Sequence, residues 1–141
     1  MIIKQLSIFL ENKSGRLSEV ANLLAKAKIN MTAFSIADTS DFGILRVIVS
    51  NPEKALEILK ENQFSVRLTD VVGMICPNES GALARTLQIL TDNGVQVEYM
   101  YAFSMDKAAT IIIRPSDTKH CIDTLKDHEL ELLKTSDLYK L

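Results

Sequence analysis

Glu11-Asn12-Lys13-Ser14-Gly15-Arg16-Leu17 returns 66 residues later as Pro77-Asn78-Glu79-Ser80-Gly81-Ala82-Leu83. Each copy joins an apolar, strand-like run, Ile3 to Leu10 or Val71 to Cys76, to a run with helical periodicity. A polar loop with a glycine between strand and helix leaves backbone N–H groups free at a helix N-terminus, where a carboxylate or phosphate can be received. The same residue types also make a plain helix start, so local chemistry leaves both roles open.

Outward from the first loop, Leu17, Val20, Ala21, Leu24 and Ala27 recur at spacings of three and four, which predicts one buried helix face. The run from Ile29 to Ala37 alternates as a strand, Asp38 to Gly43 supplies turn residues, and Ile44 to Val49 reads as the returning strand of a hairpin. Asn51-Pro52-Glu53 is a helix start with asparagine as N-cap and proline at the first helical position. Phe64 to Leu68 closes the unit as a strand. Strand, helix, strand, strand, helix, strand is the split-βαβ, ferredoxin-like plan, an antiparallel sheet with both helices on one face.

The order then starts again. Leu83, Leu87 and Leu90 line a helix that stops at Gly94, and Val95 to Phe103 and Thr110 to Arg114 read as strands. Ser116-Asp117 caps a helix bearing Ile122 and Leu125, and Leu130 to Leu133 is the last strand. Asn12 and Asn78, Gly15 and Gly81, Leu24 and Leu90, and Leu59 and Leu125 all share the 66-residue offset. Identities on one ungapped register, at capping and core positions, define a tandem repeat. The domains expected are 1–69 and 70–141, α+β units packed side by side, since no Pro, Gly or Ser-rich linker separates them.

With 141 residues, 47% of them hydrophobic, the chain has material for one ordinary domain or two small ones. Nothing approaches a membrane span or a signal peptide, so a cytoplasmic location is expected. A net charge of −2 with scattered cations gives no footprint for nucleic acid. Cys76 and Cys121 lack CxxC spacing and read as buried thiols, and His120 and His128 read as surface residues, so neither a metal site nor a cofactor is expected. No glycine-rich phosphate loop with a paired arginine, no CxxC and no His with an orienting carboxylate stands at plausible spacing, which argues against an enzyme.

The Asn-x-x-Gly-x-Leu loops at Asn12 to Leu17 and Asn78 to Leu83, with the entries to the second strands at Lys28-Ile29-Asn30-Met31 and Gly94-Val95-Gln96-Val97, resemble the ACT-domain family of small regulatory modules. The likeness runs over the whole chain, twice. It implies ACT units paired edge to edge, with an amino-acid effector at the seam between them. Carried onto this sequence, it points to Asn12, Ser14, Gly15, Arg16 and Leu17, to Asn78, Ser80, Gly81, Ala82 and Leu83, and to Met31 and Thr32 or Val97 and Glu98 across the seam.

The chemistry of the residues agrees with such a ligand. An amino-acid zwitterion needs N–H donors for its carboxylate and oxygen acceptors for its ammonium, and the loop offers both. Glycine admits close approach and a positive φ. Beside these roles, the asparagines and serines read as caps, and Leu17 and Leu83 as the first core residues of their helices. Arg16, opposite Ala82, reads either as a carboxylate clamp for one site only or as a solvated first-turn residue. Val95, Val97, Tyr99, Tyr101 and Phe103 read as one aromatic strand face, matched by small residues in the first half.

The function expected is a non-catalytic amino-acid-binding regulator, a homodimer acting in trans on a metabolic enzyme. The alternatives are an oligomerisation module without a working ligand site, or a regulatory subunit like those of acetohydroxyacid synthase. Those subunits share the loop, and the chain departs from them in its second intact half.

Overall fold

The computed structural model describes residues 2–11, 13–38, 41–105 and 107–138. The chain divides into two compact units, one built on Lys4–Thr69 and the other on Asp70–Leu138 together with Ile2 and Ile3.

In the N-terminal unit, β1 (Ile2–Glu11) leads through the loop into α1 (Arg16–Lys26), followed by β2 (Met31–Asp38), β3 (Phe42–Val49), α2 (Pro52–Glu61) and the first part of β4 (Ser65–Pro77). Strand order is β2-β3-β1-β4. β3 is antiparallel to both neighbours, pairing Ile8 with Leu45 on one side and Ile36 with Leu45 on the other. The core lies on the helix side, where Leu6, Ile8, Leu45 and Val47 from the strands meet Val20, Leu24 and Leu59 from the helices. Asn51 caps α2 as its sequence predicts, its Oδ1 accepting from the Lys54 N–H at 3.2 Å.

The C-terminal unit repeats the plan with the rest of β4, α3 (Ala82–Asp92), β5 (Val97–Met105), β6 (Ala108–Pro115), α4 (Thr118–Asp127) and β7 (Glu131–Leu132), and adds a one-turn helix, α5 (Thr135–Leu138). Its strands run β5-β6-β4-β7. Met74, Ile111 and Ile113 face Leu90, Cys121 and Leu125 in a second core. Asp117 accepts the His120 N–H at 3.1 Å as the N-cap of α4. The two strands predicted at 64–68 and 71–76 are one continuous β4, because nothing between them breaks an extended backbone: Thr69 and Asp70 are both strand residues.

The 66-residue register extends to backbone geometry. Positive φ occurs at Gly15 and Gly81, at Lys28 and Gly94, and at Gln63 and Glu129, three pairs on one offset. The last four of these residues end the four long helices. After each, the next N–H reaches back to a helix carbonyl, Ile29 to Leu24, Phe64 to Leu59, Val95 to Leu90 and Leu130 to Leu125, all at 2.9 Å. This is the Schellman closure, and it turns an apolar residue into the core at each helix end.

One face is read differently from its sequence. A β-bulge between Val97 and Tyr99 sets Val97 opposite Pro115 and Tyr99 opposite Arg114. The extra residue reverses the alternation, so Val97 packs on the helix-side core with Met100, while Tyr99, Tyr101 and Phe103 take the opposite face. The matching bulge in the first unit lies between Met31 and Ala33. Among the described residues no helix is long and apolar enough to cross a membrane.

Two glycines separate packing from conformation. A Cβ at Gly73 would lie 2.8 Å from Ile3 Cδ1 and 3.0 Å from Leu133 Cβ, whereas at Gly43 the nearest atom is 3.7 Å away. Gly73→Ala should therefore cost about 1–3 kcal/mol in urea unfolding and Gly43→Ala less than about 0.5 kcal/mol.

Cys76 and Cys121 are free, buried thiols. Burial pushes the Cys121 thiol from 9.0 up to about 11. The native state thus keeps a proton that the unfolded chain releases, and this contribution to stability is lost as pH rises from the unfolded to the folded value. Unfolding free energy measured between pH 8 and 11 should fall less steeply in Cys121→Ala than in the native protein.

Candidate functional site

The loop after β1 is shaped by Gly15, whose φ of 87° lies in the left-handed region. Gly15 is the N-cap of α1 and Gly81, also at 87°, the N-cap of α3, and neither helix has a side-chain cap hydrogen bond. That corrects the capping role read for Ser14 and Ser80: the turn is made by the backbone conformation of the glycine that follows each of them. Asn12 lies outside the described residues. Asn78 is exposed, and its N–H donates to the Lys107 carbonyl at 2.8 Å.

Leu17 and Leu83 are also corrected. They are 42% and 41% exposed because the inward position of each first turn is held by the preceding residue, Arg16 over Phe64 and buried Ala82, and the buried stripe continues at Val20 and Thr86. Two exposed leucines beside the loops are thus available to a ligand or partner.

Arg16 has a structural anchor that its sequence position does not show. Its guanidinium carbon lies 4.3 Å from the centre of the Phe64 ring, and Nη1 donates to Glu19 Oε2 at 2.8 Å. The ring face and the acid offset the unfavourable placement of a cation at a helix N-terminus. Nε is buried without a hydrogen-bond partner among the described residues. In the second unit the matching residues are Ala82, which is buried, and Leu130. An arginine over an aromatic ring in one unit has become two aliphatic residues in the other.

A cleft of about 380 Å³ opens at this loop, lined by Leu10, Glu11, Lys13, Arg16, Leu17, Ile36, Asp38 and Gly43. Two cations and two carboxylates line it together with Leu17 and Ile36, both largely exposed. Lys13 bonds Glu11 at 2.8 Å and holds that carboxyl below the usual range. Arg16 and Glu11 also border a smaller hollow of about 240 Å³ with Phe9, Phe42, Gln63 and Ser65.

The structure brings Arg16 and Leu17 together with Ile36 and Asp38, which the sequence reading passed over. Met31 and Thr32 do not line the cleft. β2 runs parallel to β1, so its end adjoins the loop and its start lies about 20 Å away, seven residues back at roughly 3.3 Å each. Met31 packs on the core, and the Thr32 hydroxyl is buried without a hydrogen-bond partner among the described residues. Val97 packs on the second core, and exposed Glu98 pairs with Arg114 at 3.4 Å.

The chain matches the ACT domain pair family over residues 1–141, and it belongs to that family. Among solved structures it is similar to protein BT0572 from Bacteroides thetaiotaomicron, at 57% identity and a TM-score of 0.96, covering 100% of this chain and 98% of that one. It shares its fold with the regulatory subunit of aspartate kinase from Thermus thermophilus, at 14% identity and a TM-score of 0.65 over 89% of this chain and 93% of the other. E. coli aspartokinase III, solved in complex with lysine and aspartate, is similar over 90% of this chain and 31% of its own length, at 12% identity and a TM-score of 0.56. No curated protein matches the sequence.

The Arg16–Phe64 contact can be weighed by a double-mutant cycle. With Arg16→Ala and Phe64→Leu, the coupling free energy in urea unfolding should be about 0.5–1 kcal/mol. A coupling of zero would leave the guanidinium without an energetic tie to the ring.

Proposed function

We propose that this ACT pair is a non-catalytic, cytoplasmic regulator that binds a free amino acid at the seam between ACT units and acts in trans, on a second copy of itself or on a metabolic enzyme. In this reading, 1–69 and 70–141 act as two ACT units. The cleft at the β1–α1 loop of the first unit is one wall of the seam. The observation that carries the reading is the charge pattern of that cleft, Lys13 and Arg16 with Glu11 and Asp38 around about 380 Å³. A zwitterion needs one group of each sign, and the volume falls in the range of small-molecule sites.

Each residue has a part in that recognition. Arg16 and the N–H groups after Gly15 receive the ligand carboxylate, Asp38 and Glu11 the ammonium, and Leu17 and Ile36 its side chain. Asn12 and Ser14 complete the loop. Met31 and Thr32, or Val97 and Glu98, of an opposing unit close the other wall. The related loop of Asn78, Ser80, Gly81, Ala82 and Leu83 has no arginine at its helix start and binds more weakly. The regulatory subunits and the lysine-bound aspartokinase that share the fold support an amino acid as effector.

A thermal-shift screen of the twenty amino acids tests this. A ligand present at ten times its Kd should raise Tm by about 4 °C. Gly15→Asp places a carboxylate where the ligand's own would lie and should abolish the shift. The Cβ position at Gly15 has no atom within 4 Å, so the fold survives the change apart from strain at its positive φ. Gly81→Asp, where Arg85 Nη1 lies 3.1 Å from the added Cβ, should reduce the shift less. No shift with any amino acid at millimolar concentration refutes the reading.

A further inference from the structure

The ring beneath Arg16 owes its place to the far end of another helix. Gln63 follows α2 at positive φ, and the Phe64 N–H returns to the Leu59 carbonyl at 2.9 Å, which turns the Phe64 side chain into the first core. Phe64 is buried and lines neither of the hollows that Arg16 borders. It meets the site only through the guanidinium, whose carbon stands 4.3 Å from the ring centre.

The second unit offers a comparison within the same chain. Ala82, Arg85 and Leu130 stand where the first unit has Arg16, Glu19 and Phe64. The helix-end closure is common to both, since the Leu130 N–H reaches the Leu125 carbonyl at 2.9 Å, but the ring is not. Arg85 pairs with Glu79 at 3.3 Å and leaves 65% of its side chain exposed, against 26% for Arg16. An acid alone therefore leaves an arginine at the surface, as expected of an exposed ion pair. The aromatic face is what draws Arg16 down.

We infer that Phe64 is a positioning residue for the carboxylate contact of Arg16, holding the guanidinium in place from the end of α2 without touching the amino acid. The inference rests on the effector reading above. An arginine has a large rotamer entropy, and one that is free in solvent loses it on binding. Ring and acid impose that order on folding, so less is left to lose when the amino acid arrives. Nη1 is engaged by Glu19 and Nε is buried, which leaves the Nη2 edge for a carboxylate oxygen.

Calorimetry on the full chain tests this, with the amino acid that raises Tm most in the screen of the twenty as the probe. Phe64→Leu installs the side chain that the second unit already carries under the same closure, and should raise Kd about 3- to 10-fold. Arg16→Ala should raise it on the order of tenfold or more, and Phe64→Leu added to that chain should change it less than about twofold. Val47→Ala weakens the same core from β3, two strands away from β4, and should leave Kd unchanged. Circular dichroism checks folding, and if Arg16→Ala binds too weakly to measure, the contrast between Phe64→Leu and Val47→Ala decides. An unchanged Kd in Phe64→Leu overturns this inference alone, and so does a loss that Val47→Ala reproduces or that persists beside Arg16→Ala. A native chain that no amino acid stabilises overturns the effector reading and this inference with it.

Discussion

The structure depends on a reversal of backbone direction at Gly15 and again at Gly81, each at φ of 87°. A side chain there would meet the steric cost of left-handed geometry, roughly 1–2 kcal/mol. Glycine removes that cost and turns the chain from strand to helix within the few residues between Glu11 and Arg16. The helix then lies back across the sheet, with Val20 and Leu24 in the core and Arg16 at the rim over Phe64. The Schellman closures at the other helix ends complete the constraint. Both ends of α1 and α3 are thus set by local conformation, and the sheet and helices meet at fixed points.

On this shared backbone the two units have taken different surfaces. Arg16 and Phe64 in the first become Ala82 and Leu130 in the second, and Phe9 becomes Ile75. Histidine replaces asparagine at one helix end, yet the bond persists: Asn62 donates to the Ile58 carbonyl at 2.8 Å, and His128 Nδ1 to the Thr124 carbonyl at 2.9 Å. The turn geometry is kept where the residue changes, as it is at Lys28 and Gly94 and at Gln63 and Glu129. The four charged residues that line the cleft, Glu11, Lys13, Arg16 and Asp38, correspond to Pro77, Glu79, Ala82 and Ser104 in the second unit.

Much of the fold was legible because it is written in local rules. Gly94 as helix stop and Asn51 and Asp117 as caps follow from backbone preferences that act within four residues. The strand-helix order follows from periodicity, and the repeat from identities on one offset. The errors arose where one residue changes the register or where a stripe begins. The bulge at Val97 and Tyr99 has no distinctive composition, yet it moves three aromatic residues to the other face. Leu17 fits the helical stripe by spacing, yet the inward position of the first turn belongs to its neighbour, Arg16 in α1 and Ala82 in α3.

By itself the sequence determined the units and the turns that build them, including the two glycine loops around which each unit is arranged. Those depend on conformational energies that a residue carries with it. Only the tertiary structure decided which side chains share a space. Ile36 and Asp38 join Arg16 and Leu17 because β2 runs parallel to β1 two strands away, and Phe64 lies under Arg16 although 48 residues separate them in the chain. Such neighbours are set by strand register and by packing across the sheet, which sum many weak contacts and leave no mark at any one position.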